Sequence, residues 1–145
     1  MYRILIPVDD DEGRARAQAE FVASLPGTGE VVAHVLYIFG EDSENLPAEW
    51  QPFKSAIRVG SVRAAQEVLD ERGIEVHVMD LGVGGEERDI AEEIVEEADE
   101  LDVDCIVLGG RKQSAVGKVI FGSVTQSVLL KSGRPVVVTG SGRKG

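Results

Sequence analysis

The sequence predicts an α/β fold: an open, five-stranded parallel sheet in the order 3-2-1-4-5 with helices on both faces. Short apolar runs typical of buried strands alternate with longer segments of helical apolar spacing, as in βαβ units. The apolar residues are mostly Val, Ile, Leu and Ala, and aromatic residues are only 5%, which suits a parallel sheet covered by helices. A chain of 145 residues has the length of one compact domain, so we expect a single domain over residues 1–145.

Five apolar runs account for the strands. Each run is followed by glycine or aspartate, which are residues that end strands and begin turns. The runs are Arg3–Val8, Val31–Phe39, Ile74–Leu81, Cys105–Leu108 and Pro135–Thr139. The connections between them are long enough for right-handed crossovers, so consecutive strands should lie parallel.

Four segments between these runs have the periodicity of helices. They are Gly13–Leu25, Ser55–Arg72, Glu86–Leu101 and Ser123–Ser132. In the first, the predicted apolar face consists of Ala17, Phe21, Val22 and Leu25. In the third, the face opposite the apolar stripe is nearly all carboxylate, which we interpret as a solvated outer face rather than a metal site. Gly73 should end the second helix.

The strand order predicts where a ligand would bind. Open parallel sheets bind ligands outside the carboxyl ends of their strands, at the point where the strand order reverses. For the order 3-2-1-4-5 that point lies between the first and fourth strands. Asp9 follows the first strand and Gly109 follows the fourth, so the stretch GGRKQSAVGKVIFGS at 109–123 begins at the expected ligand site.

Charge and composition exclude several classes of function. The net charge is -11 and the isoelectric point is about 4.6, so nucleic acid and anionic membranes are poor partners for the surface as a whole. The N-terminus lacks the pattern of a signal peptide, and no apolar run approaches membrane-spanning length, so we expect a cytoplasmic protein. The single cysteine, Cys105, lies in an apolar run and should be a buried free thiol.

The last quarter of the chain has a different charge from the rest. All 26 acidic residues precede residue 109, and seven basic residues follow it. A glycine-rich segment without carboxylates, placed before a helix, brings backbone N–H groups and the positive end of the helix dipole to bear on an anion. Ser123 and Thr125 would add hydroxyl donors. The sequence therefore predicts a phosphate-binding loop in this segment.

Two common phosphate-binding patterns do not match this segment. A P-loop requires Ser or Thr directly after Gly-Lys, but Gly117 and Lys118 are followed by Val119. A dinucleotide-binding fingerprint would have to follow the first strand, where the chain instead reads Pro-Val-Asp-Asp. The phosphate-binding prediction therefore needs a different pattern.

A third pattern matches over nearly the whole chain. Its parts are ILIPVD at 4–9, VVAHVLYI at 31–38, DVDCIVLGGRK at 102–112 and FGSVTQSVLLKSGRPVVV at 121–138. Together they resemble the universal stress protein family, whose ATP-binding members carry Gly-x2-Gly-x9-Gly-Ser/Thr after the fourth strand. Gly109, Gly122 and Ser123 match this motif, whereas Lys112 stands in place of the second glycine. A lysine there could neutralise a phosphate, or its side chain could fill the space that a glycine leaves open.

The resemblance implies an adenine-nucleotide site, with ATP, possibly together with Mg²⁺, as the cofactor. Asp9 and Val35 match positions that hold the nucleoside, and the glycine-rich segment matches the phosphate loop. The expected cofactor contacts are Pro7, Asp9, Val35, Gly109, Arg111, Lys112, Gly122, Ser123, Val124 and Thr125. The resemblance also implies a homodimer that pairs through the last strand, at Val136, Val137 and Val138, and acts as a stress-response switch.

Simpler structural roles remain open for several of these residues. Ser123 and Gln126 have the spacing of a capping box, in which serine caps the helix and glutamine reaches back. Asp9 could simply end a strand or cap the next helix. His34 and His77 lie inside strands and are expected to pack there rather than bind metal.

No nucleophile–base arrangement can be assembled from the sequence, so no catalytic residue is predicted. The first hypothesis is therefore a nucleotide-binding module. The alternatives are an interaction protein of the same fold that binds no nucleotide, with Lys112 occupying the site, and a slow ATP hydrolase in which Asp9 or Asp10 holds Mg²⁺.

Overall fold

The computed structural model describes residues 1–9, 11–38, 60–81, 89–110 and 122–140. The strands are β1 (Tyr2–Val8), β2 (Val31–Ile38), β3 (Glu75–Leu81), β4 (Cys105–Gly109) and β5 (Val136–Thr139). The helices are α1 (Glu12–Ala23), α2 (Gly60–Glu71), α3 (Ile90–Leu101) and α4 (Ser123–Lys131), with a short 3₁₀ turn at Thr28–Glu30. The strands form a parallel sheet in the order β3-β2-β1-β4-β5, which confirms the predicted topology.

Two hydrophobic cores cover the two faces of the sheet. Helices α1 and α2 pack on one face, and α3 and α4 pack on the other. The sequence of the central strand β1 is continuously apolar because both of its faces are buried. Ile4 and Ile6 belong to the first core and Leu5 to the second, and all three are fully buried. A strand that is covered on both faces has no exposed position for a polar side chain.

Local signals fix where the helices begin and end. The Oδ1 atom of Asp11 accepts a hydrogen bond from the Arg14 amide at 2.9 Å, so Asp11 caps α1. Asp89 caps α3 in the same way, through a 2.9 Å bond from the Ala91 amide. Gly73 has a φ of +70° just after α2, the left-handed conformation expected of a glycine that ends a helix.

The apolar residues predicted for α1 account for only part of its buried face. The structure buries Ala15, Gln18, Ala19, Val22 and Ala23, and only Val22 was in the predicted face. Phe21 and Leu25 pack at the margin of the core and are only partly buried. The reason is that three alanines let the helix approach the sheet closely, and the amide of Gln18 finds hydrogen-bond partners inside.

The predicted solvated face of α3 has one exception. Glu93 is only 8% exposed, although it belongs to the carboxylate-rich side of the helix. On the apolar side, Ile94 and Ala98 are buried as predicted, and Ile90 and Leu101 pack partly buried against the same core. The predicted loop at 40–53, the glycine run at 82–85 and the predicted helical residues 55–59 and 86–88 lie outside the described residues.

The polar residues inside the strands pack as the sequence predicts. His34 of β2 and His77 of β3 are partners across the sheet, and their rings stack with centroids 5.3 Å apart. The Nε2 atom of His77 lies 2.7 Å from Oε2 of Glu75. Cys105 is a buried free thiol, and its burial raises the pKa of the thiol.

Candidate functional site

The sheet opens between its two central strands. Strands β1 and β4 pair only at Ile4 with Cys105 and at Leu5 with Ile106, although both strands continue beyond these pairs. Pro7 has no N–H to contribute to a ladder at this point. The Nε2 amide of buried Gln18 bridges the gap instead, since it donates to the carbonyl of Pro7 at 2.6 Å and to that of Val107 at 3.0 Å. A polar side chain therefore replaces backbone pairing where the strand order reverses.

A cavity of about 400 Å³ lies at this opening, within the roughly 300–1,000 Å³ typical of small-molecule sites. Seven of its lining residues were predicted as cofactor contacts: Pro7, Asp9, Gly109, Gly122, Ser123, Val124 and Thr125. Six further lining residues were not predicted: Asp11, Arg14, Gln18, Ile38, Ile90 and Leu108. The cavity thus lies at the switch point between β1 and β4, where the topology places a ligand.

One wall of the cavity is the start of α4. Gly122 is the residue that precedes the helix, and the first intrahelical bond runs from the Gln126 amide to the Gly122 carbonyl at 3.0 Å. The amides of Ser123, Val124 and Thr125 come before this bond and have no acceptor within the helix. The first turn carries no acidic residue, so this wall presents N–H groups and the positive end of a helix dipole.

The capping-box interpretation of Ser123 is wrong. Gly122, not Ser123, is the cap, and Ser123 is the first residue of the helix itself. A residue with helical backbone angles cannot place its side-chain oxygen as a cap does, because capping requires an extended backbone at that residue. Ser123 is exposed and lines the cavity.

The opposite wall contains an ion-pair cluster. Arg14 of α1 pairs with the carboxylate of Asp9, and its Nη2 atom lies 3.6 Å from Oδ2 of Asp11. Its Nε group donates to the carbonyl of Gly110 at 3.2 Å. Asp9 also accepts a 3.0 Å hydrogen bond from the Asp11 amide. Arg14 therefore connects the end of β1, the start of α1 and the end of β4.

The end of β4 is held from both sides. On one side, the Gly110 amide donates to the Thr139 carbonyl of β5 at 2.8 Å, and the Thr139 hydroxyl donates to the Leu108 carbonyl at 3.2 Å. On the other side, Gly109 lies against Arg14, because a Cβ atom at this glycine would be 2.6 Å from Cδ of Arg14. The backbone here leaves room for the arginine only because residue 109 has no side chain.

Three of the predicted contacts are not among the residues that the structure brings to the cavity. Val35 is fully buried in the core beneath α1 and α2 and does not line the cavity. Its side chain points to that core because side chains alternate between the two faces of a strand. Arg111 and Lys112 lie outside the described residues.

Some of the unpredicted lining residues do have a signal in the sequence. Asp11 and Arg14 are three residues apart at a helix start that directly follows β1, so both lie at the carboxyl edge of the sheet. Ile38 and Leu108 are near the carboxyl ends of their strands for the same reason. Gln18 gives no such signal, because nothing in the sequence shows that a polar helical residue faces the sheet.

An ion-pair network fixes α4 against α3. The ammonium group of Lys131 lies 2.7 Å from Asp89 and 3.2 Å from Glu92. The hydrogen bond from Lys131 lowers the pKa of the Asp89 carboxyl, and the same contact raises the pKa of Lys131. Because Lys131 is in the last turn of α4, it also complements the negative end of that helix dipole.

Comparison with known proteins supports what this geometry suggests. The family model described as "Universal stress protein family" matches residues 1–140. The chain belongs to the universal stress protein family. Among curated members, a universal stress protein of Mycolicibacterium smegmatis is 38% identical over 69 residues, which are 44% of this chain and 53% of that protein. The matched segment thus spans about half the length of that relative.

Solved structures of universal stress proteins have the same fold. One from Archaeoglobus fulgidus is 29% identical, covers 96% of this chain and 98% of its own, and superimposes with a TM-score of 0.72. A universal stress protein of the same organism in complex with dAMP is 24% identical over the same shares of the two chains, with a TM-score of 0.66. At that identity, the second comparison establishes the fold alone.

None of the helices in residues 1–9, 11–38, 60–81, 89–110 and 122–140 has the length and apolar character needed to cross a bilayer.

Proposed function

We propose that the chain is an adenine-nucleotide-binding module whose ligand is ATP, and that occupancy of the site alters its contacts as a homodimer. The observation that carries the proposal is the cavity at the switch point, with the amide-bearing start of α4 on one side and Asp9 on the other. Membership of the universal stress protein family and the dAMP complex of an A. fulgidus member support it.

The phosphates would bind at the start of α4. The amides of its first turn have no acceptor within the helix, and the residues that carry them, Ser123, Val124 and Thr125, line the cavity. Such a helix start favours a bound anion, and the hydroxyls of Ser123 and Thr125 would add donors. Gly109 and Gly122 border this wall and keep it free of bulky side chains. Arg111 and Lys112, as the family motif implies, would offset the phosphate charge.

The nucleoside would lie towards β1. The Asp9 carboxylate can accept hydrogen bonds from ribose hydroxyls, and Pro7 adjoins it on the same strand. Ile38 and Ile90 supply apolar surface in the cavity, against which a purine ring can pack. Val35 faces the core on the other side of the sheet, so its contribution to the nucleoside site would be to support β2 from within that core.

Calorimetric titration of nucleotide-stripped protein with ATP, with and without Mg²⁺, tests the proposal. We expect saturable binding, and we expect Gly122→Val to weaken it at least tenfold, because a branched side chain at the start of α4 would cover the free amides. Gly133→Val is the matched control at the other end of the helix, where a Cβ atom meets nothing within 4 Å. This control should bind ATP as the wild type does.

Three other outcomes would point elsewhere. No heat with ATP and no nucleotide in mass spectra of the denatured, freshly purified protein would favour an interaction protein that binds no nucleotide. Equal affinity in Gly122→Val would contradict the placement of phosphates at α4. Steady release of phosphate that is lost in Asp9→Asn would indicate hydrolysis rather than binding alone.

A further inference from the structure

Arg14 lines the cavity beside Asp9, so a bound nucleotide would lie close to its guanidinium group. Its guanidinium group pairs with Asp9, approaches Asp11 at 3.6 Å and donates from Nε to the Gly110 carbonyl at 3.2 Å. Its side chain is only 22% exposed. All three nitrogen atoms of the guanidinium thus face acceptors of the protein, and the group is held in place rather than free in solvent.

The cluster has a definite charge. Asp9 and Asp11 carry two negative charges beside the cavity, and Arg14 reduces their sum to a single negative charge. Within a partly buried cavity, a nearby charge acts on a ligand more strongly than it would in water. Without the arginine, the two carboxylates would repel the phosphates of a nucleotide bound at the start of α4.

Arg14 also limits what Asp9 can do for a nucleoside. A carboxylate oxygen that is engaged by a guanidinium is less available to accept hydrogen bonds from ribose hydroxyls. The packing of Gly109 against the arginine methylenes holds the side chain in this position. The ion pair between Arg14 and Asp9 therefore favours the binding of phosphate and weakens the binding of the ribose.

We propose that Arg14 is a specificity-determining residue, which sets the preference of this site for phosphorylated over unphosphorylated adenine nucleosides. The proposal rests on the proposed function, since it concerns the same cavity. Loss of the arginine would expose the phosphates to two carboxylates, which weakens the binding of ATP. It would also free Asp9 to accept hydrogen bonds from ribose, which strengthens the binding of adenosine. The ratio of the dissociation constant of adenosine to that of ATP measures both effects together.

The test compares Arg14→Met with Arg16→Met. Both changes remove one positive charge from α1, but Arg16 is exposed and does not line the cavity. We expect Arg14→Met to lower the ratio of the two dissociation constants about tenfold, as the loss of one nearby charge at intermediate dielectric predicts. In Arg16→Met the ratio should stay within twofold of the wild-type value.

Dissociation constants for adenosine and ATP that are both unchanged in Arg14→Met would overturn the proposal and leave nucleotide binding intact. Wild-type protein that binds neither adenosine nor ATP would overturn both this proposal and the proposed function. Equal loss of both ligands in Arg14→Met would also overturn it, because that pattern indicates a purely structural role. These results are distinguishable from one another in a single set of titrations.

Arg14→Lys provides a second variant, which keeps the charge even if Arg14→Met does not fold. The lysine retains a cation beside Asp9 but loses the planar arrangement of donors. We expect it to keep the ATP preference within about threefold of the wild type, because the proposal depends on the charge. A tenfold fall in the ratio for Arg14→Lys would contradict the proposal.

Discussion

At Gly109 the backbone of β4 closely approaches side chains of helix α1. A Cβ atom there would lie 2.6 Å from Cδ of Arg14 and 3.0 Å from Oε1 of Gln18. Both neighbours are held by other bonds: Arg14 pairs with Asp9 and Gln18 bridges two carbonyls across the opening of the sheet. Neither can move without breaking a contact that shapes the cavity.

We therefore expect Gly109→Ala to destabilise the protein by about 1–3 kcal/mol, the usual cost of inserting a methyl group into a filled space. Gly133→Ala is the matched control, because a Cβ atom at that position meets nothing within 4 Å, and its effect should be within about 0.5 kcal/mol. Urea denaturation of the two variants measures both values. A cost for Gly109→Ala no larger than that for Gly133→Ala would show that Arg14 adjusts freely.

At the scale of single elements, the strands were predictable and the helix faces were less so. Strands β1 and β4 lie within one residue of their predicted bounds, since a strand buried on both faces is an uninterrupted apolar run. The buried face of α1 was only partly predicted, because most of its fully buried residues are alanines and one glutamine, whose burial depends on the sheet beside the helix. Sequence periodicity records which side chains are apolar, not which ones find a partner.

Some residues of the candidate site could be predicted from the sequence, and others could not. Residues that follow strands or begin α4, such as Asp9, Gly109 and Gly122, could be placed at the cavity from topology and motif. Arg14 could be placed at that edge of the sheet from its position at the start of α1, but its bond to Gly110, 96 residues away, could not be predicted. Gln18 could not be placed at all, because its role arises from a contact 89 residues away. Such contacts are fixed only by the tertiary structure.

His34 of β2, which stacks on His77 of β3, is the histidine through which stability is expected to depend on pH. Burial, the neighbouring His77 and the positive charge of Arg3 lower the pKa of His34, and Glu75 acts weakly in the opposite direction. The folded protein therefore binds a proton at His34 less readily than the unfolded chain does. As pH falls through the unfolded value near 6.5, the unfolded state gains protons first, and stability must decrease.

We expect the free energy of unfolding to fall between pH 7.5 and pH 5.5, and to fall less in His34→Leu, because the variant lacks the group whose protonation folding opposes. Denaturant titrations of both proteins at the two pH values provide the measurement. An identical pH dependence in the wild type and the variant would mean that His34 does not contribute.

At the scale of the whole molecule, opposite charges that lie in different parts of the sequence meet in the structure. The basic final segment docks on the acidic helix α3: Lys131 lies 2.7 Å from Asp89, and Nε of Arg134 lies 3.1 Å from Asp99. Both pairs are partly exposed to solvent, and Arg134 is the least exposed of their four side chains at 23%, so each contributes little by itself. Together they join α4 and the segment before β5 to the same helix. Lys131 and Arg134, the basic residues after position 109 that the structure describes, are thus both engaged in ion pairs.

The open edge of β5 is where a second copy would pair in the proposed homodimer. The amides of Ile106 and Gly110 donate to the carbonyls of Pro135 and Thr139, so alternate residues of β5 direct their backbone groups to β4. The backbone groups of Val136 and Val138 face the other way, toward the edge of the described sheet. Such an edge, with half-buried valines, can extend a sheet across a dimer.

Val138→Pro tests this interface without disturbing the pairing of β5 with β4. Proline removes an outward-facing N–H, which an edge strand tolerates, so we expect a folded monomer with a sedimentation coefficient about half to two-thirds that of the dimer. Val138→Thr keeps both the N–H and the side-chain shape and should remain dimeric. A Val138→Pro dimer would place the interface elsewhere, and a wild-type monomer at micromolar concentration would remove the homodimer from the proposed function. Because Val138 lies across the sheet from the cavity wall formed at Leu108, ATP added to the wild type should also shift its dimer dissociation constant if occupancy and assembly are coupled.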